Sequence, residues 1–253
     1  MTLLFIFGVG LSACNPLAAT LDQSRHIVME ADAAELAQRA KLGASIDKLM
    51  DRSVEVIGKR AGEISASAPT VKREGENRIV LDITSNEKAD LLERLLLNSG
   101  TLEIKLVDEL ASPDDLAAGN LRVGSEILSF PTRTDFGQPF VAVKRLGGLR
   151  GDTIKDAQQS FDIYTNEPMV VITFDDSGSK KFARMSTRNV GRMVAIIYDG
   201  KVLAASIVNE PIVDGSVQIS GDFTVQSAGE LAMLLRTGSL PLKFTVIEDK
   251  TAK

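Results

Sequence analysis

The order of helical and strand-like hydrophobic patterns between residues 25 and 106 constrains the fold of this chain more than any other feature. Four segments alternate apolar and polar residues as strands do, and two repeat apolar residues every three or four positions as helices do. The strand-like segments are 25–31, 71–73, 79–83 and 102–106; the helical segments are 46–57 and 86–96, with Asn86 as the predicted N-cap of the second. The order β-α-β-β-α-β is typical of a ferredoxin-like fold.

A change of hydrophobic period near the C-terminal end is the second constraint. Leu231, Leu234 and Leu235 follow helical spacing, and Ser227 with Glu230 matches the S-x-x-E pattern of a capping box. Gly238 follows, and glycine is the residue that most readily adopts positive φ just past a helix. We therefore predict a helix over 225–237, a break at Gly238 and a strand over 240–247.

The middle of the chain reads as a second α+β unit. The polar segment 111–120, with the helix breakers Pro113 and Gly119, predicts a crossing between two subdomains. Strands are predicted at 140–144 and 169–174, and a helix from 175. Residues 193–207 alternate about Asp199 and Gly200, a dipeptide that favours a type I′ hairpin turn.

Composition excludes several classes of function. The chain has 253 residues with a net charge of −5, no Trp and two Tyr, so it lacks the basic surface and aromatic platforms of a nucleic-acid-binding protein. Cys14 is the single cysteine and His26 the single histidine. One of each cannot make a zinc site, and Cys14 has no partner for an intramolecular disulfide. We expect no metal site, no cofactor and no nucleic-acid partner.

Catalysis is not indicated either. His26 lies on a strand-like segment and has no nucleophile in an obvious pattern with it, so a surface or edge position is expected. The pairs Asp114–Asp115 and Asp175–Asp176 precede predicted helices, where carboxylates stabilise free backbone amides. Arg236 suits the C-terminal end of its helix for the corresponding reason. We therefore predict no catalytic residues and no enzymatic activity.

A glycine pattern at the N-terminus resembles a dinucleotide-binding fingerprint, with Gly8, Gly10 and Ala13 followed by Glu30. Pro16 would break the helix that this fingerprint requires, and no β-α-β unit of the right length follows. A nucleotide site is therefore not predicted.

The same N-terminal segment is better explained as a leader. The apolar run 3–13 is too short to span a bilayer as a helix, and it fits the apolar region of a signal peptide. The residues Leu11-Ser12-Ala13-Cys14 resemble a bacterial lipobox, which predicts lipidation at Cys14 and a leader with linker over 1–21. No Lys or Arg precedes the run, so a start that is too late and a remnant transmembrane helix stay open as alternatives. Asn15 fits sorting to an outer membrane.

Several motifs in a fixed order resemble the SecD family of bacterial export factors. They are NVGRMVAIIYDGKVLAASIVNEPI, then GSVQISGDFTVQSAGELAMLLRTGSLPLKFTVIED, and upstream GDTIKDAQQSFD and PMVVITFDDSGSKKFARMSTRNVG. The base region NRIVLDI…LLLNSGTLEIKLVDE is similar to a lesser degree, so the resemblance covers about 26–250. It implies the first periplasmic domain of SecD: a ferredoxin-like base, 22–110 plus 239–253, with an inserted α+β head, 111–238. Pro113, Gly119, Gly238 and Pro241 are then the expected hinge and crossing residues.

The resemblance also implies a function in protein export. We expect a periplasmic, lipid-anchored module that binds unfolded or translocating polypeptide and Sec translocon components. Phe140, Phe161, Phe174 and Met185 in the head are the candidate binding surface, although apolar residues at strand or helix period more often point into the core. The sequence has no run of eighteen apolar residues, so we expect a chain that binds a client without drawing on a proton gradient. The alternative is a structural envelope domain that docks on a folded partner through a sheet edge.

Overall fold

The computed structural model describes residues 23–130 and 139–251. The predicted leader and its lipidation site Cys14 lie outside these residues. The helices are α1 (Ala33–Lys41), α2 (Ile46–Ile64), α3 (Ala89–Leu97), α4 (Pro113–Ala118), α5 (Asp176–Arg188) and α6 (Val225–Thr237). The strands are β1 (Gln23–Ala31), β2 (Thr70–Glu74), β3 (Arg78–Ser85), β4 (Leu102–Leu106), β5 (Ser125–Ser129), β6 (Phe140–Lys144), β7 (Leu149–Arg150), β8 (Ile154–Phe161), β9 (Pro168–Phe174), β10 (Met193–Tyr198), β11 (Lys201–Ile207), β12 (Ser216–Ile219) and β13 (Phe244–Thr251).

The first unit, which we call the base, is built on a four-stranded antiparallel sheet in the order β13-β1-β3-β2. In chain order its elements are β1, α2, β2, β3, α3 and β13, which is the β-α-β-β-α-β arrangement of a ferredoxin-like fold. The predicted fold class, α+β with a ferredoxin-like base and an inserted α+β head, is thereby confirmed. Strand β13 completes the sheet as one of its end strands. It pairs with β1 from Arg25 opposite Thr251 to Ala31 opposite Phe244.

The sequence assigned the strand Leu102–Leu106 to the base, and this assignment is wrong. The strand pairs with β10 and β7 in a different sheet. The chain therefore leaves the base directly after α3, between Leu97 and Leu102, and everything up to the end of α6 lies between the last two elements of the base.

One continuous core holds the base together. Its buried side chains come from β1, α2, β3 and α3 and from the segment before β13, and they include Met29, Met50, Ile57, Ile79, Leu81, Leu96, Leu240 and Leu242. Ser45 caps α2 by accepting a hydrogen bond from the Lys48 N–H. The predicted cap of α3 at Asn86 is wrong, because that helix begins at Ala89 after Lys88, which makes no side-chain cap bond.

The second unit, which we call the head, contains two sheets. A six-stranded sheet has the order β6-β5-β11-β10-β4-β7, and a three-stranded sheet has the order β12-β9-β8. Helix α6 packs on β8 and β9, and α5 contacts β7 and β9. The main head core joins these elements around Ile104, Ile172, Phe182, Ile196 and Leu231. A smaller cluster around Val143, Ile197 and Val202 lies in the six-stranded sheet.

The segment 111–120 is not a crossing between the two units, which corrects the prediction for Pro113 and Gly119. Pro113 is the first residue of α4, whose cap is the reciprocal pair Ser112 and Asp115, and Gly119 ends that helix at φ 71°. On both sides of it the chain pairs within the six-stranded sheet, since Val107 bridges Val143 and β5 pairs with β6. The two residues therefore bound a short helix inside the head.

The C-terminal helix begins with a different cap from the one predicted. Thr224 is its N-cap and exchanges hydrogen bonds with Ser227, so Ser227 is the third residue of the helix rather than its cap. Glu230 accepts instead from Arg94 and Gln226. After Gly238, at φ 90°, the chain does not enter a strand until Phe244, four residues later than expected. Leu240 and Leu242 are nevertheless buried in the base core.

The turn between β10 and β11 has the geometry that its sequence favours. Asp199 and Gly200 both have positive φ, 47° and 76°, as a type I′ turn requires. The Asp199 carboxylate also accepts hydrogen bonds from the N–H groups of Gly100 and Thr101. The hairpin is thus tied to the segment that enters the head from the base.

Candidate functional site

A groove of about 770 Å³ opens between the two sheets of the head. Its floor is one face of the six-stranded sheet, with Ile104 from β4, Val194 and Ile196 from β10, and Ala204 from β11. Period-2 alternation places Val194 and Ile196 on the same face of β10. Phe182 of α5, the segment 207–214 and strand β12 form its walls. We call this site the apolar groove.

Two strands bordering the apolar groove have free edges. Strand β12 is the end strand of its sheet, paired only with β9 among the described strands. Strand β11 pairs with β10 along its length, but within the described residues it pairs with β5 only at Lys201 opposite Ser129. Unpaired backbone N–H and C=O groups at a sheet edge accept an extended peptide as an added strand.

The rim of the apolar groove combines exposed apolar side chains with negative charge. Ile207 is 53% exposed and Val213 is 73% exposed, although both are large and apolar. The charged residues that line the groove are Glu210 and Asp214, both acidic. The groove therefore presents apolar contacts, free strand edges and a negative potential to a ligand.

The four residues predicted as a client surface do not form one. Phe174 and Met185 are buried in the head core, with the Phe174 ring centroid 5.5 Å from that of Phe182, so assigning them to a surface was wrong. Phe140 and Phe161 are about half exposed, on β6 and β8, in two different sheets. None of the four lines the apolar groove. Phe140 lines a smaller apolar cavity of about 200 Å³ beside α4, together with Phe130 and Met193.

A buried arginine joins the base to the head. Arg60 projects from the last turns of α2 and is fully buried. Its guanidinium donates to the carbonyls of Leu96 at 2.9 Å and Asn98 at 2.5 Å, where the chain leaves the base, and of Gly238 at 2.9 Å, where it returns. One side chain thus binds both connections between the units. Burial lowers the pKa of Arg60 to about 10, and neighbouring Tyr198 and Asp199 oppose that shift.

The surroundings of Arg60 explain two local features. Gly100 has φ 68°, and a Cβ there would lie 2.8 Å from the Arg60 Nη2, so a side chain fits neither the backbone nor the space. Tyr198 donates its hydroxyl to the side-chain oxygen of Asn98 at 2.7 Å. Burial, together with the carboxylate of Asp199, raises the pKa of Tyr198, so the phenol stays protonated as a donor.

Ion pairs between helices also connect the base to the head. Arg236 of α6 pairs with Glu63 of α2 through two hydrogen bonds, at 3.2 and 2.8 Å, and also donates to the Ala157 carbonyl at 2.7 Å. The Glu63 carboxylate raises the pKa of Arg236. Arg94 of α3 pairs with Glu230 of α6 at 2.9 Å. Arg236 therefore does more than face the C-terminal end of its own helix, as the sequence predicted, because it links the two units.

The return connection is also held by backbone hydrogen bonds. The N–H of Leu240 donates to the Ser99 carbonyl at 2.8 Å, next to the bend at Pro241, and the Lys243 carbonyl accepts from Asp32. Gly238 and Pro241 lie where the chain passes from α6 back to the base. Motion about them remains a prediction.

The remaining sequence candidates make structural contacts. His26 contacts the Asp82 carboxylate, with 2.7 Å between Nδ1 and Oδ1, on a half-exposed face of the base sheet. Asp175 is the N-cap of α5 and accepts from the Gly178 N–H at 2.7 Å, whereas Asp115 is the third residue of α4 and accepts from the N–H of its N-cap, Ser112, at 3.0 Å. In the described ranges, no three His, Cys, Asp or Glu side chains group as metal ligands do. None of the helices in those ranges has the length and hydropathy to cross a bilayer.

Sequence reasoning missed both Arg60 and the apolar groove. Arg60 carried a signal, because it follows Val56 and Ile57 by four and three residues and so occupies an apolar position of the helix. The groove carried none, since its lining comes from separate elements that are brought together only by the sheet order.

Comparison with known proteins follows this architecture. A family model described as SecDF, P1 head subdomain, matches residues 125–242. The protein translocase subunit SecD of Rickettsia conorii is 34% identical over 212 residues, which cover 84% of this chain and 40% of that protein. SecD of Acidaminococcus fermentans is 30% identical over 243 residues, 94% of this chain and 48% of that protein. The chain thus spans less than half the length of these relatives.

Solved structures give the same result. A crystal structure of SecDF in a super-membrane-facing form matches with a TM-score of 0.72 and 25% identity, covering 93% of this chain and 32% of that one. A second, described as a structure of the membrane component SecDF that enhances protein export, matches with a TM-score of 0.67 and 26% identity, covering 88% of this chain and 98% of that one. The resemblance predicted from the sequence is therefore confirmed: this chain is similar to SecD over most of its length, and residues 125–242 match the SecDF P1 head subdomain.

Proposed function

We propose that this chain acts in protein export as a SecD-like periplasmic module, in which the head binds unfolded or translocating polypeptide and the base carries the head. It performs no catalysis, and components of the Sec translocon are its partners. The observation that carries the proposal is the apolar groove, whose lining residues, apart from Ile104, lie within the segment that matches the SecDF head.

The chemistry of the groove suits an extended client better than a compact one. A floor of aliphatic side chains accepts apolar residues of many shapes, and the free edges of β11 and β12 accept main-chain hydrogen bonds from any sequence. Because ordering a flexible client offsets much of the interaction free energy, binding is expected to be weak and tolerant of sequence.

A pair of rim substitutions tests the groove. Ile207→Asp with Val213→Asp places two charges where a client's apolar residues would lie, and adds negative charge without touching the core. We expect at least a tenfold loss of affinity for a permanently unfolded export substrate, measured by fluorescence anisotropy, and no binding of its folded form. Leu42→Asp with Ile247→Asp is the matched control, since both residues are exposed apolar side chains of the base. Equal losses in the two pairs would contradict the assignment.

The membrane attachment is a separate part of the proposal. The lipobox predicts that Cys14 becomes the lipidated first residue of a mature, periplasmic protein, with sorting to the outer membrane indicated by Asn15. Palmitate labelling of cells should mark the wild-type chain and leave Cys14→Ala unlabelled. An unprocessed chain that retains Met1, or equal labelling of the variant, would contradict the lipid anchor and favour one of the other origins of the apolar run.

Docking on a folded envelope protein is the second candidate function. It is favoured by β6, the end strand of the six-stranded sheet, whose Phe140 is 42% exposed. Crosslinking in intact cells from position 140 and from position 213 separates the two functions. Capture of translocating chains and Sec components from position 213 supports export, whereas capture of one folded protein at stoichiometric levels from position 140 alone supports docking.

A further inference from the structure

Helix α5 has two chemically different faces. Its buried face, with Phe182 and Met185, packs into the head core. Its exposed side carries Lys181, Arg184 and Arg188, spaced three and four residues apart and therefore adjacent on the helix surface. A basic amphipathic helix of this kind is typical of attachment to negatively charged surfaces.

The three cations share a cavity. They line a cavity of about 300 Å³ together with the turn Gly147-Gly148 and the apolar side chains of Leu106, Leu149 and Met185. This volume is at the lower end of the range for small-molecule sites, about 300–1,000 Å³. The cavity combines cations with apolar side chains, and it shares α5 and β4 with the apolar groove but none of its lining residues.

The positive charge of this cavity is not neutralised within the described parts of the chain. None of its lining residues is acidic. The salt bridges formed by other cations of the chain do not involve Lys181, Arg184 or Arg188. In a chain whose net charge is −5, three adjacent cations without a carboxylate partner concentrate positive potential at one place.

We propose that this cavity binds the phosphate group of an anionic phospholipid and so seats the head on a membrane surface. Two arginines and a lysine supply charge-assisted hydrogen bonds to phosphate oxygens. Leu146, directly before the lining turn, is 84% exposed and apolar, as suits contact with the acyl region next to a headgroup. The choice of a lipid as the source of the phosphate rests on the proposed envelope location.

Vesicle binding tests the proposal on residues 22–253, without the predicted leader and linker, so that neither the apolar run 3–13 nor a lipid anchor contributes. We compare vesicles of phosphatidylglycerol and phosphatidylethanolamine with vesicles of phosphatidylcholine. The test variant is Lys181→Gln, Arg184→Gln and Arg188→Gln. The matched control is Lys41→Gln, Lys48→Gln and Lys72→Gln, which removes the same charge from exposed lysines of the base.

The cavity variant should bind anionic vesicles on the order of a hundredfold more weakly than the parent chain, since each basic residue near such a surface contributes about fivefold. The control should change by less than threefold, and phosphatidylcholine should not bind. Equal weakening in both variants, or none in either, overturns the site. Binding of inorganic phosphate to the parent chain, weakened in the cavity variant, without binding of any vesicle overturns the lipid assignment. The affinity of the cavity variant for unfolded polypeptide should equal that of the parent chain. A failure of the lipid site is therefore distinguishable from a failure of the proposed client binding.

Discussion

The base and the head bury their apolar side chains in different ways. The base has one sheet and one continuous core, whereas the head divides its apolar residues between two sheets and leaves grooves between them. Of the thirteen large apolar side chains that are exposed in the described residues, eleven lie between Leu110 and Val225, in the head. Apolar surface that is not used for folding is available for binding. The comparison therefore supports the proposal that the head carries recognition, and it predicts that the base contributes mainly to stability.

The largest expected effect breaks the connection between the two units. Arg60→Ala leaves the carbonyls of Leu96, Asn98 and Gly238 without their buried donor, so we expect a loss of about 4 kcal/mol in the free energy of unfolding. Urea unfolding followed by circular dichroism should also separate into two transitions. Lys59→Ala, the exposed neighbour on the same helix, should cost less than about 0.5 kcal/mol. A single transition with an equally small loss in Arg60→Ala would contradict the role of Arg60.

The next effect sharpens the division between stability and recognition. Leu81→Ala removes a fully buried side chain from the base core, and such changes cost about 3 kcal/mol. Below its unfolding transition, the variant should bind unfolded polypeptide within twofold of the parent chain, measured by fluorescence anisotropy. A fall in affinity parallel to the fall in stability would show that the base takes part in recognition.

The smallest expected effect is the pH dependence of the stability that one buried carboxylate gives to the head. Asp108, in the head, is the one buried carboxylate among the described residues, and Ser125 donates to it at 2.7 Å. This hydrogen bond holds the pKa of Asp108 below its ordinary value. The stabilisation is therefore present above the unfolded pKa, about 3.9, and is lost as the pH falls through the lower folded pKa.

Ser125→Ala should accordingly cost about 2 kcal/mol at pH 7 and clearly less near pH 3, measured by urea unfolding at both values. In the background of Asp108→Asn, which has no charge to titrate, the same substitution should cost an equal amount at both pH values. A cost in the parent chain that does not change with pH would contradict the ionised state of Asp108.

The sequence predicted the order of elements well because periodicity is a local property. It could not decide which sheet received the strand Leu102–Leu106, because β4 and β13 both follow a helix and both alternate, and pairing partners far apart in sequence leave no local pattern. The caps of α3 and α6 shifted by a few residues for a related reason. For α6, Thr224 and Ser227 are both residues that cap helices, whereas α3 follows Lys88, which has no capping side chain for the sequence to reveal.

The candidate site was less accessible to sequence reasoning than the fold. Phe174 and Met185 follow strand and helix periods that point inward, so their burial agrees with the general rule for such residues. The exposed side chains of the apolar groove lie at the end of β11 and in the irregular segment after it, where no period says which side faces solvent.

Because β13 completes the base sheet, the base and the head finish folding at different times during synthesis. Strand β1 lies between β3 and β13, so the base has its full sheet only after residues 244–251 have been synthesised. The strand pairings of the head all lie between Leu102 and Ile219 and can form earlier. Distant pairings of this kind form slowly and leave a sheet edge open while they wait. During synthesis the base sheet therefore stays unfinished until β13 is complete. A ribosome that stalls between the end of α6 and residue 244 would release a chain with a formed head and a base sheet whose edge is open.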